Sequence, residues 1–458
     1  MAPQLSDLEA FEQRRAALGT RLGNRPALIA AGSTRPRNYA ANIYPYRASS
    51  HFLYLFGLPL RDAVSFYDGG AWTLFLPERD PDTTLWEGPS ASFDQIAAAT
   101  GCQVRTLARL PANIRGRAVA TLPAPDLETC AQQSRLLNRE IRRGVFDVLD
   151  APLADAMIDI RLRHDDAAVA ELRVAADVTR LAHHAGMRAT RPGIRESSVR
   201  AAMEAEITGR GMNVAYGSIV TVHGEVLHNE QHQNVLADGD MLLADVGAES
   251  PGGWAGDVTR TWPVSGRFSP VQRDLYAVVL EAQRQAIAAV SPGARYRNIH
   301  ILACQALAGG LVDLGLLRGN PIELVADGVL ALLFPHGVGH LLGLDVHDME
   351  DLGDRAGYAP GRQRSTEFGL KNLRLDRDLT PGMAVTIEPG LYFVPAILED
   401  EQLTKKAAGR IDQEKLARYA TVRGIRIEDD VLVTATGAEV LTAAIPKSIE
   451  AVEAELSG

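Results

Sequence analysis

Cysteine is scarce in this sequence: Cys102, Cys130 and Cys304 are far apart and odd in number. That leaves no basis for a disulfide framework or a cysteine-built zinc site, and it fits a reducing compartment. Long apolar runs are also missing, since no window approaches the roughly 18 apolar residues of a spanning helix. The opening stretch MAPQLSDLEAFEQRRAALG is charged and amphipathic, unlike a secretory signal. A cytoplasmic protein with no membrane association is therefore expected. Positive charge is in deficit as well. With a net charge of −10 and no dense Lys/Arg run, the chain lacks what a nucleic-acid surface needs, so peptides or other small molecules are the expected partners.

What is present points to two domains. A chain of 458 residues exceeds one typical domain, and 46% hydrophobic residues can fill real cores. Residues 1–160 mix short apolar runs with helical stretches and read as a smaller α/β domain. Within them AVSFYDGGAWTLFLP is expected to form a hairpin turning at Asp68-Gly69-Gly70. A long helix is expected after Asp165 and Asp166, with Val174, Val178, Leu181 and Ala185 on its apolar face. The boundary falls near residue 160.

Residues 161–458 contain a diverged repeat. The order helix, Pro-Gly break, helix occurs at RPG (191–193) and again at SPG (291–293). DGDMLLADVG (238–247) and TPGMAVTIEPG (380–390) align with an offset of 143 residues, pairing Asp245 with Glu388. Downstream of each lies a second acidic strand, GDVTRTWPV with Asp257 and GIRIEDDVLVT with Glu428, in which Arg426 shares the face of Glu428. A pseudo-twofold curved sheet would bring Asp245, Asp257, Glu388 and Glu428 together. Four buried carboxylates repel one another unless cations join them.

Three of the eleven histidines, His336, His340 and His347, fall within HGVGHLLGLDVHD. Four carboxylates and one imidazole form an oxygen-rich set suited to two divalent ions, Mn(II) first, with Co(II) or Zn(II) as alternatives. Such ions about 3.5–4 Å apart can hold a hydroxide between them and polarise a carbonyl. His340 would be the nitrogen ligand, with His336 and His347 on the substrate side.

The motifs HGVGHLLGLDVHD, TIEPGLYF and GIRIEDDVLVT, with Asp245 and GDVTRTWP, resemble the pita-bread metallopeptidases: methionine aminopeptidase, aminopeptidase P and prolidase. The resemblance spans most of residues 165–440 and implies an α+β fold with a pseudo-twofold curved antiparallel sheet flanked by helices. It assigns Asp245, Asp257, His340, Glu388 and Glu428 to a dimetal centre, with Glu388 also moving protons. His228, in VLHNEQHQN, and His347 match histidines that act on the substrate. Arg426 and Tyr392, inside the same motifs, are expected at the substrate too. YPYRASSHFLYLFGL and TTLWEGP resemble the extra N-terminal domain of aminopeptidase P and prolidase, in whose members a tryptophan near the position of Trp86 reaches a neighbouring subunit's site. A homodimer or homotetramer is implied. His51 departs from that pattern, standing where aminopeptidases P carry an acid.

The segment MEDLGDRAGYAPGRQRSTEFGLKNLRLDRDL, between His347 and Glu388, resembles an insert of prolidases. Its Arg374 falls where they place an arginine for the free carboxylate of a dipeptide. The expected activity is therefore hydrolysis of Xaa-Pro dipeptides. Release of the N-terminal residue from longer peptides, as by aminopeptidase P, is the alternative. A pita-bread domain that binds a partner without catalysis is the alternative of another class.

Overall fold

The computed structural model describes residues 8–78 and 83–457, so the first seven residues of the amphipathic opening lie outside it. The chain divides into two compact units, Met1–Ala167 with Met349–Ala356, and Ala168–Asp348 with Gly357–Gly458.

The first unit is built on five strands: β1 (Ala27–Ala30), β2 (Val64–Tyr67), β3 (Trp72–Leu76), β4 (Gln103–Thr106) and β5 (Ala120–Thr121), in the order β4-β3-β2-β1-β5. β2 and β3 form the expected hairpin, and its turn is held by Asp68, whose carboxylate accepts the N–H groups of Gly70 and Ala71 at 2.9 Å each. Leu28, Val64, Phe66 and Phe75 from the sheet pack with Leu110, Ile114 and Val119. The returning segment 349–356 is tied in by a chain of polar contacts that runs from the buried Arg161 and His51 to the surface. Arg161 donates to His51 Nδ1 at 2.8 Å, which places the ring proton on Nε2, and Nε2 donates to Asp351 at 2.9 Å. His51 thus serves inside this unit as a connector.

The second unit repeats one pattern. Its first half has the helices Asp166–Ala189 and Glu196–Thr208, then β6 (Asn213–Val214), β7 (Ile219–Thr221), β8 (Met241–Asp245), β9 (Ala248–Glu249) and β10 (Thr259–Pro263). Its second half has the helices Pro270–Ala288 and Tyr296–Asp313, then β11 (Ala384–Ile387), β12 (Gly390–Tyr392), β13 (Gly424–Arg426), β14 (Asp429–Val433) and β15 (Ala438–Val440). Strands pair antiparallel as β10-β8-β7 in one half and β11-β14-β15 in the other. Thr261 joins the halves: its hydroxyl donates to the Arg426 carbonyl at 3.0 Å and accepts the Arg426 N–H at 3.2 Å, while Glu428 N–H donates to Thr259 O at 3.0 Å.

One expectation about the long helix fails. Val174 is 44% exposed and only Val178 of the four named residues is fully buried; the buried stripe runs through Ala168, Leu172, Ala175, Thr179, Ala182 and Gly186. Both stripes have the same 3.6-residue spacing, so periodicity does not separate them. Small side chains decide it, because they permit close approach: a Cβ on Gly186 would lie 2.7 Å from Met203 Sδ.

The core of this unit draws on both halves, with Met203, Leu242 and Trp262 from one and Leu275, Leu307, Leu333, Tyr392 and Ile425 from the other. Arg260 is fully buried and paired with Asp429 at 2.7 Å, and Lys447 closes on the same carboxylate. β13 runs against the backbone of Gly224, and a Cβ on Gly424 would stand 2.3 Å from the carbonyl carbon and oxygen of Gly224. Backbone cannot swing aside as a side chain does. Gly424→Ala should therefore lower stability by about 1–3 kcal/mol, the usual cost of an overpacked contact; an unchanged urea midpoint would show that the Gly224 backbone yields freely.

Candidate metal centre and substrate pocket

The acidic residues sit at strand ends rather than within strands. Asp245 closes β8, Asp257 precedes β10, Glu388 follows β11, and Glu428 stands between β13 and β14. Because β11 and β14 pair with Ile387 opposite Asp429, Glu388 and Glu428 leave the ladder side by side. The strand edges supply rigid backbone while their ends open into a cavity of about 320 Å3. Its lining includes all four carboxylates, His228, His336, His340 and His347, and also Arg364, Lys371, Arg374 and Arg426.

Asp257, His340 and Glu428 place ligand atoms within 4.8 Å of one another, all on buried residues. His340 reaches this position because Gly339 has no side chain: its φ is +151°, and a Cβ there would meet Thr386 O at 2.3 Å. Close packing lets the Thr386 hydroxyl accept the His340 N–H at 3.2 Å. His340 Nδ1 donates to Leu341 O at 3.0 Å, which aims Nε2 at Asp257 (3.4 Å) and Glu388 (3.6 Å). Backbone carbonyls orient metal-ligating histidines in this way.

Asp245 is held from two sides, its oxygens accepting from the Tyr216 hydroxyl and from Arg426 Nη2. Arg426 also donates from Nε to Thr259 Oγ1 at 2.8 Å, and that hydroxyl donates to Glu428 at 2.7 Å. The electrostatics show strain that one guanidinium cannot relieve. Burial raises the proton affinity of Asp245, Glu388 and Glu428, and repulsion from neighbouring carboxylates raises each further against the pull of Arg426. Burial likewise pushes Asp430 far up beside Asp257, and its Oδ1 is buried without a hydrogen-bond partner among the described residues. His340 moves up despite burial, drawn by Asp257 and Glu388. Crowded carboxylates facing one imidazole lone pair fit divalent cations, which would relieve this repulsion.

The other expected residues divide by their partners. His336 Nδ1 donates to Gly337 O at 2.8 Å, so Nε2 accepts the Tyr392 hydroxyl at 2.9 Å, and Tyr392 in turn accepts from Arg426 Nη1 at 3.3 Å. With both ring nitrogens engaged, and burial beside Arg426 pushing its pKa down to about 3, His336 is an uncharged link in the wall. The His347 ring lies 4.0 Å from that of His340. His228 is exposed at the pocket's edge. Trp86, in the other unit, is 83% exposed.

Tyr216 and Asp430 are site residues that the sequence does not single out; Thr259 shares the strand face of Asp257, but its bond to Glu428 is not given by spacing. Asp430 carries a signal, because it alternates with Glu428 on one strand face. Tyr216 carries none: a lone tyrosine in VAYGSIV does not reveal its partner.

Residues 170–435 match metallopeptidase family M24, and residues 11–120 match the aminopeptidase P N-terminal domain. The chain belongs to metallopeptidase family M24. It is similar along most or all of its length to several known proteins. A probable Xaa-Pro aminopeptidase of Aspergillus niger is 32% identical over 428 residues, covering 89% of this chain and 88% of that one. The human Xaa-Pro dipeptidase is 29% identical, covering 98% and 94%. The structure of Pseudomonas aeruginosa aminopeptidase PepP superposes with a TM-score of 0.81 at 32% identity, covering 100% of this chain and 99% of the other. Zinc-substituted Escherichia coli aminopeptidase P in complex with product gives a TM-score of 0.79 at 29% identity, each chain 99% covered. An M24 metallopeptidase with the pita-bread fold is thus shown, and it is an enzyme of the metallo-exopeptidase kind.

If Asp257 and Glu428 each touch both ions, Asp257→Ala or Glu428→Ala should abolish hydrolysis and reduce bound metal below two ions per chain. Elemental analysis of the purified variants checks this; near wild-type turnover with two ions retained would overturn the bridging role.

Proposed function

We propose that this M24 enzyme cleaves the Xaa-Pro bond, preferring dipeptides over longer peptides. The observation that carries this is the composition of one pocket, in which four carboxylates and His340 share a wall system with Arg364, Lys371 and Arg374. A cationic group beyond the reacting bond suits a substrate that ends there in a free carboxylate, and would oppose a chain that continues. Arg374 is near enough for its charge to act on His336. Xaa-Pro aminopeptidase activity on longer peptides is the second reading, favoured by the match of residues 11–120 and by the Aspergillus niger and Pseudomonas aeruginosa relatives.

Asp245, Asp257, His340, Glu388 and Glu428 would hold two divalent ions, Mn(II) first and Co(II) or Zn(II) otherwise, which when bound polarise the scissile carbonyl and lower the pKa of water. Glu388, its proton affinity raised by burial, takes the proton of the attacking water at a carboxylate oxygen. It returns that proton to the proline nitrogen as the C–N bond breaks. His228 and His347 donate to the substrate carbonyl and its developing charge. Arg426, Tyr392 and His336 keep the carboxylates oriented while substrate enters.

Exposed Leu85 and Trp86 support a homodimer or homotetramer in which the short helix Thr83–Glu87 meets a second copy. No described helix is long and apolar enough to cross a membrane. The three cysteines are unpaired and buried, which supports a cytoplasmic setting.

Replacing His228 or His347 by Ala should cut turnover by about a hundredfold while leaving metal content unchanged, the size usual for lost oxyanion or proton-transfer groups. Metal loss on the same substitution would make that histidine a ligand. Substrate length is tested by hydrolysis of Ala-Pro and Ala-Pro-Ala with Mn(II). Arg374→Ala should remove a contact worth about 1.5–3 kcal/mol and lower dipeptide kcat/KM by roughly ten- to a hundredfold, with far less effect on the tripeptide. A dipeptide-to-tripeptide ratio equal to that of the wild type would transfer the assignment to the aminopeptidase P reading. Metal-loaded protein inactive on both substrates would instead favour a binding module.

A further inference from the structure

A second cavity, of about 350 Å3, lies on the other side of the segment that carries Arg374. Its lining includes Arg295, Arg297, Arg362, Gln363, Ser365 and Asp376. Leu373, in extended conformation, faces this cavity, while the next residue, Arg374, faces the metallopeptidase pocket. No step of the proposed reaction uses these residues.

Its charges do not balance. Arg295 forks onto Asp376 at 2.7 and 2.6 Å, and Arg362 divides its donors between Asp376 at 3.4 Å and Asp378 at 2.8 Å. Arg297 has no hydrogen bond or ion pair among the described residues, although its charge reaches Asp376. Three guanidinium groups therefore surround one lining carboxylate that is already taken. Two further features add to the positive field. Arg297 stands in the first turn of the helix Tyr296–Asp313, whose N-terminus has no side-chain cap. The Ser365 hydroxyl accepts the Glu367 N–H at 3.1 Å, which leaves its O–H to donate.

Guanidinium forks, a hydroxyl and a helix N-terminus are the donor set that recognises a tetrahedral dianion. We propose that this cavity is a binding site for a phosphoryl group, either inorganic phosphate or the phosphate of a small monoester, with Arg297 as its free arm. Arg295 and Arg362 remain half-buried, so the site is reached from solvent. The volume exceeds what one phosphate ion fills, which leaves room for the organic part of a monoester.

The test is calorimetric titration of the metal-loaded enzyme with inorganic phosphate and, separately, with glycerol phosphate, at constant ionic strength set by chloride. Saturable binding with a Kd in the millimolar range or below is expected for at least one of them. Arg297→Gln should weaken it by about tenfold or more, while Ala-Pro hydrolysis without phosphate and the melting temperature stay at wild-type values. Tighter binding of glycerol phosphate would identify a monoester ligand, and equal binding would identify phosphate itself. Absence of saturable binding overturns the proposal. So does phosphate affinity that Arg297→Gln leaves unchanged, since an ion held at the carboxylate pocket would behave that way.

Discussion

Arg426 is the group on which the site's geometry depends. It is the buried cation among Asp245, Glu388 and Glu428, and it binds Asp245 directly while reaching Glu428 through the Thr259 hydroxyl. Its remaining nitrogen holds Tyr392, which holds His336. A buried charge without a partner is costly, so each member of this chain fixes the next. The arrangement still leaves more negative charge than one guanidinium can offset. Cations bound here would neutralise the cluster and so would couple metal binding to the stability of the folded unit.

The duplicated architecture explains how such a cluster can form. Each half brings carboxylates to the ends of antiparallel strands, and the halves meet through Thr259, Thr261, Arg426 and Glu428. Strand interiors would have buried these acids among apolar neighbours. Strand ends place them in a cavity while leaving the ladder intact. The insert then adds what the repeat lacks, a cationic wall: Arg364, Lys371 and Arg374 enter the same pocket. That wall has two faces, since Leu373 and Arg374 point to different cavities.

Much of this is legible in the amino-acid order. The offset of 143 residues between DGDMLLADVG and TPGMAVTIEPG announces the repeat, and HGVGH announces the histidine that follows Gly339. The strand hairpin, the helix pairs and the pocket's acidic lining follow from local patterns in which each residue's neighbours in sequence decide its conformation. Other features are hidden. The buried face of the helix Asp166–Ala189 cannot be chosen from its spacing, because two stripes share one period and Met203 on another helix selects between them.

Spacing and periodicity are local properties, and they suffice for the repeat and for its recurring carboxylates, while the motifs around them carry the resemblance to the family. Four features depend instead on which group lies opposite across the fold. Tyr216 holds Asp245, and Asp430 stands beside Asp257 with one oxygen lacking a hydrogen-bond partner among the described residues. His336 is spent on Tyr392 and Gly337, and residues 349–356 join the first unit. Hydrogen bonds and buried charges of this kind are settled by partners far along the chain, and no local pattern records them.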